Sequence, residues 1–180
     1  MPITYTSIES KTISSLTTSF SFTSIPQTYT DLILSMSGLS VASETYIKFN
    51  DDSTSANYSA HTMSGQGNNA GYPGVWYPYR YNGSSNGIII GNRGTTSSTT
   101  IPTYYYVNIM SYTNGNIYKN TLSRSGIINN STSGSLTGNV EITTGMWKST
   151  AAINKITVLN SAGGNFQVGT TATLYGVKNS

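Results

Sequence analysis

Short runs of alternating apolar and polar residues recur along the chain, each bounded by Gly, Asn, Ser or Pro. This period of two predicts β-strands. Strands are expected near Thr4 to Ser7, Lys11 to Leu16, Ser19 to Phe22, Asp31 to Ser37, Thr45 to Asn50 and Tyr58 to Met63. The second half adds Gly87 to Ile90, Tyr104 to Tyr112, Asn116 to Ser125, Val140 to Lys148, Lys155 to Leu159 and Thr171 to Lys178. No stretch carries the i, i+3, i+4, i+7 stripe of an amphipathic helix. About a dozen short strands are too many for one open sheet and suit two packed sheets. The expected architecture is a single all-β domain over residues 1–180, a jelly-roll-like antiparallel β-sandwich.

The alternation also assigns faces. Leu32, Leu34 and Met36 fall on one side of their strand, with Ile33 among serines on the other. Ile47 and Phe49 share a face from which Lys48 points away. Tyr104-Tyr105-Tyr106 puts aromatics on both faces. Ser and Thr are expected on outward positions, keeping an exposed sheet wet. Asn114-Gly115 is read as a two-residue type I′ hairpin turn, which needs φ > 0 at both positions. Two segments break the rhythm. Gly65 to Gly87, with two prolines and a Tyr/Trp cluster, is expected to be a long aromatic loop, and Gly94 to Pro102 a low-complexity linker or exposed edge.

Composition sharpens the functional reading. Ser, Thr, Asn and Gly supply 91 of the 180 residues, while Lys, Arg, Asp and Glu make up 8%. Solubility must come from hydroxyls and amides. With 14 Tyr, 4 Phe and 2 Trp the chain is too aromatic for a disordered one. The net charge of +3 rests on nine scattered cations, so the basic footprint of a nucleic-acid binder is missing. No apolar run reaches the roughly 20 residues that span a bilayer. The start, Met1-Pro2-Ile3-Thr4-Tyr5, has neither a charged n-region nor an apolar h-region, so synthesis in a cytosol is expected. Without cysteine there is no disulfide or thiolate metal site.

Catalytic chemistry is sparse. His61, the lone histidine, lies near no Gly-x-Ser-x-Gly elbow. The carboxylates are Glu9, Asp31, Glu44, Asp51, Asp52 and Glu141, of which five read as surface or turn residues; no pair suggests glycoside hydrolysis. No enzyme activity and no cofactor are expected. Asn50-Asp51-Asp52-Ser53 is the one acidic cluster. It reads as an Asx turn closing a strand, with a Ca²⁺ site through Asp51 and Asp52 as the alternative. The aromatic segment, with Tyr72, Trp76, Tyr77, Tyr79, Arg80 and Tyr81, has three readings: a subunit or neighbour contact, a glycan contact, or packing over an open end of the sandwich. Asn57-Tyr-Ser and Asn82-Gly-Ser match the glycosylation sequon but carry little weight in so Asn- and Ser-rich a chain.

Four stretches, taken together, resemble a family of small all-β virion proteins of tailed bacteriophages, including phages of aquatic bacteria. They are Phe22-Thr-Ser-Ile-Pro-Gln-Thr-Tyr-Thr-Asp-Leu32, Ile47-Lys-Phe-Asn-Asp-Asp52 followed by Asn57-Tyr-Ser, Trp147-Lys-Ser-Thr-Ala-Ala-Ile153, and Gly169-Thr-Thr-Ala-Thr-Leu-Tyr-Gly-Val177. The likeness runs from about residue 3 to residue 178, and the closing Gly-x-x-x-x-Leu-Tyr-Gly-Val is its most specific piece. It implies a final sandwich strand there and a structural place in the virion, with no catalytic residues to carry over. The aromatic segment at 72–81 has no counterpart in it. The leading expectation is a capsid decoration (cement) protein made in the bacterial cytoplasm, a homotrimer on the major capsid protein. The alternatives are a tail-fibre or head-fibre tip contacting host surface glycan, and a free carbohydrate-binding module.

Overall fold

The computed structural model describes residues 4–39, 44–68, 75–92, 101–128, 136–161 and 164–178, with backbone alone at 66–68, 75–77, 79, 92, 127–128 and 136–137. Twelve antiparallel strands form two packed sheets. In chain order they are β1 (Thr4–Thr12), β2 (Ser19–Phe22), β3 (Asp31–Gly38), β4 (Glu44–Phe49), β5 (Tyr58–Asn68) and β6 (Val75–Asn82). Then come β7 (Ile88–Asn92), β8 (Thr103–Met110), β9 (Lys119–Ile128), β10 (Leu136–Trp147), β11 (Ile156–Asn160) and β12 (Thr171–Lys178).

Strand order gives the topology. The small sheet runs β2-β11-β4-β7, and the large one begins β1-β12-β3-β8. The chain crosses between these two four-strand sets at each step from β1 through β4, then from β7 to β8, from β8 (through the β9-β10 insertion) to β11, and finally from β11 to β12. That is a jelly roll, the expected fold class. Two hairpins are inserted into it. β5-β6 lies between β4 and β7 in the chain, and β9-β10 between β8 and β11. They pair through β10 and β5 and widen the large sheet beside β8 to eight strands.

The core sits where the jelly-roll sheets face each other. Leu32, Leu34 and Met36 of β3, Val107 and Ile109 of β8 and Leu174 of β12 pack toward Phe22, Ile47, Phe49, Ile156 and Val158. Each such side chain stabilises the fold by about 1.5–3 kcal/mol relative to exposure. The faces assigned to β3 and β4 from alternation are the observed ones. Phe20 meets Phe22 and Phe166 edge to face, at 6.1 and 5.1 Å between ring centroids. β7 covers the junction of jelly roll and insertion, and Gly145 of β10 makes room for it: a Cβ there would lie 2.3 Å from Ile88.

Four expectations need correction. The first two expected strands merge, because a bulge between Ser7 and Glu9 lets β1 stay paired with β12 along its length. The supposed loop at 65–87 is largely a hairpin: β5 continues to Asn68, and Val75–Asn82 pairs with it as β6. Tyr and Val suit a pleated strand, and Pro78 is tolerated because β6 is an edge. Asn114-Gly115 forms no type I′ turn. The positive φ falls at Ser111 instead (52°), where the Asn114 N–H closes a turn on Ser111 O at 3.0 Å, and Asp31 and Lys119 anchor the connection 111–118. Finally, most Ser and Thr residues of the inserted strands (Thr62, Ser64, Thr121, Ser123, Ser125 and Thr143) face inward. The stretch 94–102 lies mostly outside the described residues.

Candidate interaction face

The inserted strands invert the usual patterning. On their inner face Thr62, Ser64, Thr121, Ser123, Asn139 and Thr143 are buried, together with Ser125 and Glu141. Their polar groups largely satisfy one another. Thr62 and Thr143 share a hydroxyl hydrogen bond of 2.7 Å, Ser64 donates to Asn139 Oδ1 at 2.8 Å, and Asn139 Nδ2 donates to Glu141 Oε1 at 2.8 Å. The outer face of the same strands carries exposed apolar residues among polar ones such as His61, Asn120, Arg124 and Thr144. Met63 is 62% exposed, Val140 66% and Ile142 48%. Ile142 stands directly opposite Met63, which stands opposite Pro78, so an apolar row crosses β10, β5 and β6.

A groove follows β5 along this outer face. The floor is Ser59, His61 and Met63, with Asn82, Arg80 and Pro78 of β6 on one bank. Met146, Thr144 and Ile142 of β10 form the other. Three hollows lie end to end. The first, of about 480 Å³, is lined by Arg80, Lys148, Asn82, Ser55 and Ser59 among others. The second, of about 260 Å³, shares Ser59 and adds His61, Asn120 and Thr144. The third, also about 260 Å³, shares His61 and Thr144 and is closed by Met63, Pro78 and Ile142. Arg80 Nε donates to Asn82 Oδ1 at 3.1 Å, which steers the guanidinium along the bank. Neither Arg80 nor Lys148 makes an ion pair with a carboxylate among the described residues.

The edge beside this groove is guarded. Gly83 N donates to Tyr58 O at 3.0 Å, so β6 bonds to β5 through its odd-numbered residues. Pro78 therefore sits where its missing N–H would face outward. One edge donor is absent midway, which disfavours addition of another strand.

Of the residues picked out in the aromatic segment, Tyr72 lies outside the described residues. Trp76, Tyr77 and Tyr79 are placed by backbone only, opposite Gly65, Ser64 and Thr62. Arg80 is exposed, and Tyr81 is half-buried against the core. His61 is exposed on the outer face, whereas Glu141 is buried on the inner one. A sheet thus separates the histidine from the most buried carboxylate.

Asp51 and Asp52 occupy a tight turn after β4, with Asn50 and Asp51 at φ 50° and 58°. Their carboxylates serve different partners. Asp51 pairs with Lys155 at 2.8 Å. Asp52 accepts from Trp147 Nε1 at 2.7 Å, Asn57 Nδ2 at 2.8 Å and the Thr54 N–H at 2.9 Å. Among the described residues no three His, Asp or Glu gather as metal ligands. Burial by itself would raise the Asp52 carboxyl, but the three donors outweigh it and hold the group at about 2. A depressed carboxylate stabilises the fold fully above its ordinary value of 3.8, and that contribution is lost as pH falls toward about 2. Asp52→Asn is expected to flatten the loss of thermal stability between those pH values, read by circular dichroism melts. An unchanged acid limb would contradict this role.

Sequence reasoning missed a second outer-face feature. Tyr104 and Tyr5 are 53% and 56% exposed, and Tyr5 covers a hollow of about 240 Å³ that includes Asp31, Ile33, Asn108 and Met110. The Asn108 Oδ1 atom is buried there with no partner among the described residues. Burial, together with the neighbouring Tyr5 and Tyr104, pushes the Tyr106 hydroxyl up against the opposing pull of Arg124. The available signal was the Tyr-Tyr-Tyr run, which marks aromatics on both faces but not their convergence with Tyr5 from β1. Comparison with protein-family models, with curated proteins and with solved structures found no match for the chain.

Proposed function

We propose that the chain is a non-enzymatic structural protein of a bacteriophage virion. In this reading it is a capsid decoration protein, trimeric, whose large sheet lies with its outer face against the major capsid lattice. The observation that carries the reading is the inversion in β5, β9 and β10: hydroxyls are buried and Met63, Val140 and Ile142 face outward. Apolar side chains grouped on an open face are favoured where a partner removes them from water. Size supports the same reading. Eight strands about 4.8 Å apart, with about nine residues each rising ~3.4 Å, make a face of roughly 1,000 Å². That is large enough to hold the roughly 800 Å² per partner of a standard interface. The four sequence stretches that resemble phage virion proteins supply the kind of particle.

A second reading, the glycan-contacting tip of a tail or head fibre, is favoured by the hollow beside exposed Tyr5 with its unpartnered Asn108 oxygen. Copy number separates the two. Densitometry of purified particles should find hundreds of copies of a decoration protein; a few tens or fewer would move the chain to a fibre.

A further inference from the structure

We propose that the groove along β5 seats an extended, acidic polypeptide segment of the neighbouring virion protein, with a carboxylate at the Arg80–Lys148 end and an apolar side chain in the Met63–Pro78–Ile142 hollow. The inference rests on the assembly reading and adds the chemistry of the partner. Its first support is charge. The widest hollow has two cations without ion-pair partners among the described residues, and hydroxyl and amide groups from Ser55, Ser59 and Asn82, but no carboxylate in its lining. A cationic rim of this kind selects a negatively charged partner and speeds its encounter.

The second support is spacing. The floor residues Ser59, His61 and Met63 succeed one another at two-residue intervals, about 6.8 Å apart along the strand. An extended peptide presents side chains on one face at the same interval. Cationic, polar and apolar hollows would thus take every second side chain of one segment, the ends about 14 Å apart. The far hollow is mostly apolar, closed by Met63, Pro78 and Ile142 beside His61 and Thr144. That lining suits a Leu or Val side chain. With Pro78 blunting the edge, the segment lies across the face and is held through its side chains. Among the described residues nothing covers the groove.

The test is a titration of the isotopically labelled protein, followed by NMR chemical shifts, with a peptide of about ten residues built around Leu-Ser-Thr-Ser-Glu between Gly-Ser flanks. The same core in reverse order covers the other chain direction. Saturable shifts centred on Ser59, His61 and Met63 are expected with at least one direction. Replacing the peptide Glu by Gln, or making Arg80→Gln with Lys148→Gln in the protein, should weaken binding about tenfold at low salt. Shifts elsewhere, equal binding of the Glu and Gln peptides, or binding of tetragalacturonate in the groove without binding of either peptide would overturn the proposal, the last in favour of an acidic glycan. Rebinding to stripped particles separates this from the assembly reading. If wild type rebinds and the Arg80→Gln, Lys148→Gln variant rebinds equally well, the groove proposal fails alone. If wild type does not rebind at all, the assembly reading fails, and with it the virion partner assigned to the groove.

Discussion

Replacing Lys119 with alanine is expected to lower the unfolding free energy by about 3–5 kcal/mol, through the buried carbonyls left without a donor and the cavity left behind. Lys119 has no exposed surface. Its Nζ donates to three backbone carbonyls: Asn114 O, Ile117 O at 2.9 Å and Thr150 O at 3.0 Å. Desolvation pushes its pKa below the usual lysine range. All three ammonium protons are thus spent on tying loop 111–118 to the segment after β10. Removing them leaves acceptors without their donor, at about 1–3 kcal/mol for each buried group, and opens a cavity along the side-chain stem. At about 2–4 °C per kcal/mol for a chain of this length, the midpoint should fall by roughly 6–20 °C. Lys119→Met keeps most of the volume but none of the donors, so its melt should fall between wild type and Lys119→Ala. A Lys119→Ala midpoint within a few degrees of wild type would contradict the clamp.

This clamp also marks where the sequence stopped being legible. Asn114-Gly115 between two good strands is a strong local hairpin signal. Here Tyr112 is buried with its hydroxyl donating to Pro26 O, the Ser111 N–H donates to Asp31 at 2.6 Å, and Lys119 gathers the carbonyls. All these partners are distant in the chain or depend on a buried lysine, and tertiary contacts overrode turn propensity. The jelly roll itself was readable because its strands obey simple alternation: Leu32, Leu34 and Met36 inward, Ile47 and Phe49 inward, Lys48 away. The inserted hairpins were not, because Thr-Met-Ser and Val-Glu-Ile alternate just as cleanly in either orientation. Which side of Glu141 faces in was decided by the Asn139, Ser64 and Ser125 partners that close its network, and none of these is predictable from period alone.

The candidate site was half legible for a related reason. Aromatic residues at 72–81 drew attention to the segment beside the groove, and its prolines and glycines suggested a loop. Register with β5 turns residues 75–82 into an edge strand, and the groove arises only because β6 and β10, far apart in the chain, flank Ser59, His61 and Met63 of β5. Asp51 and Asp52 were legible as a turn. What sequence could not supply was that Trp147, 95 residues on, donates to Asp52.

The outer face is the centre of the account, and Val140→Glu combined with Ile142→Glu tests it. Both side chains are well exposed, so the isolated protein should keep its stability within about 1 kcal/mol. On a partner surface the same changes place two carboxylates where apolar contacts are expected. The loss should reach a hundredfold or more in affinity, about two hot-spot contacts. The decisive measurement is co-sedimentation of purified protein with phage particles stripped of it, wild type beside the double variant and with matched melts. Wild type in the pellet and the variant in the supernatant, at similar melting midpoints, is the predicted result. Equal pelleting of the two proteins would contradict the claim that this face docks.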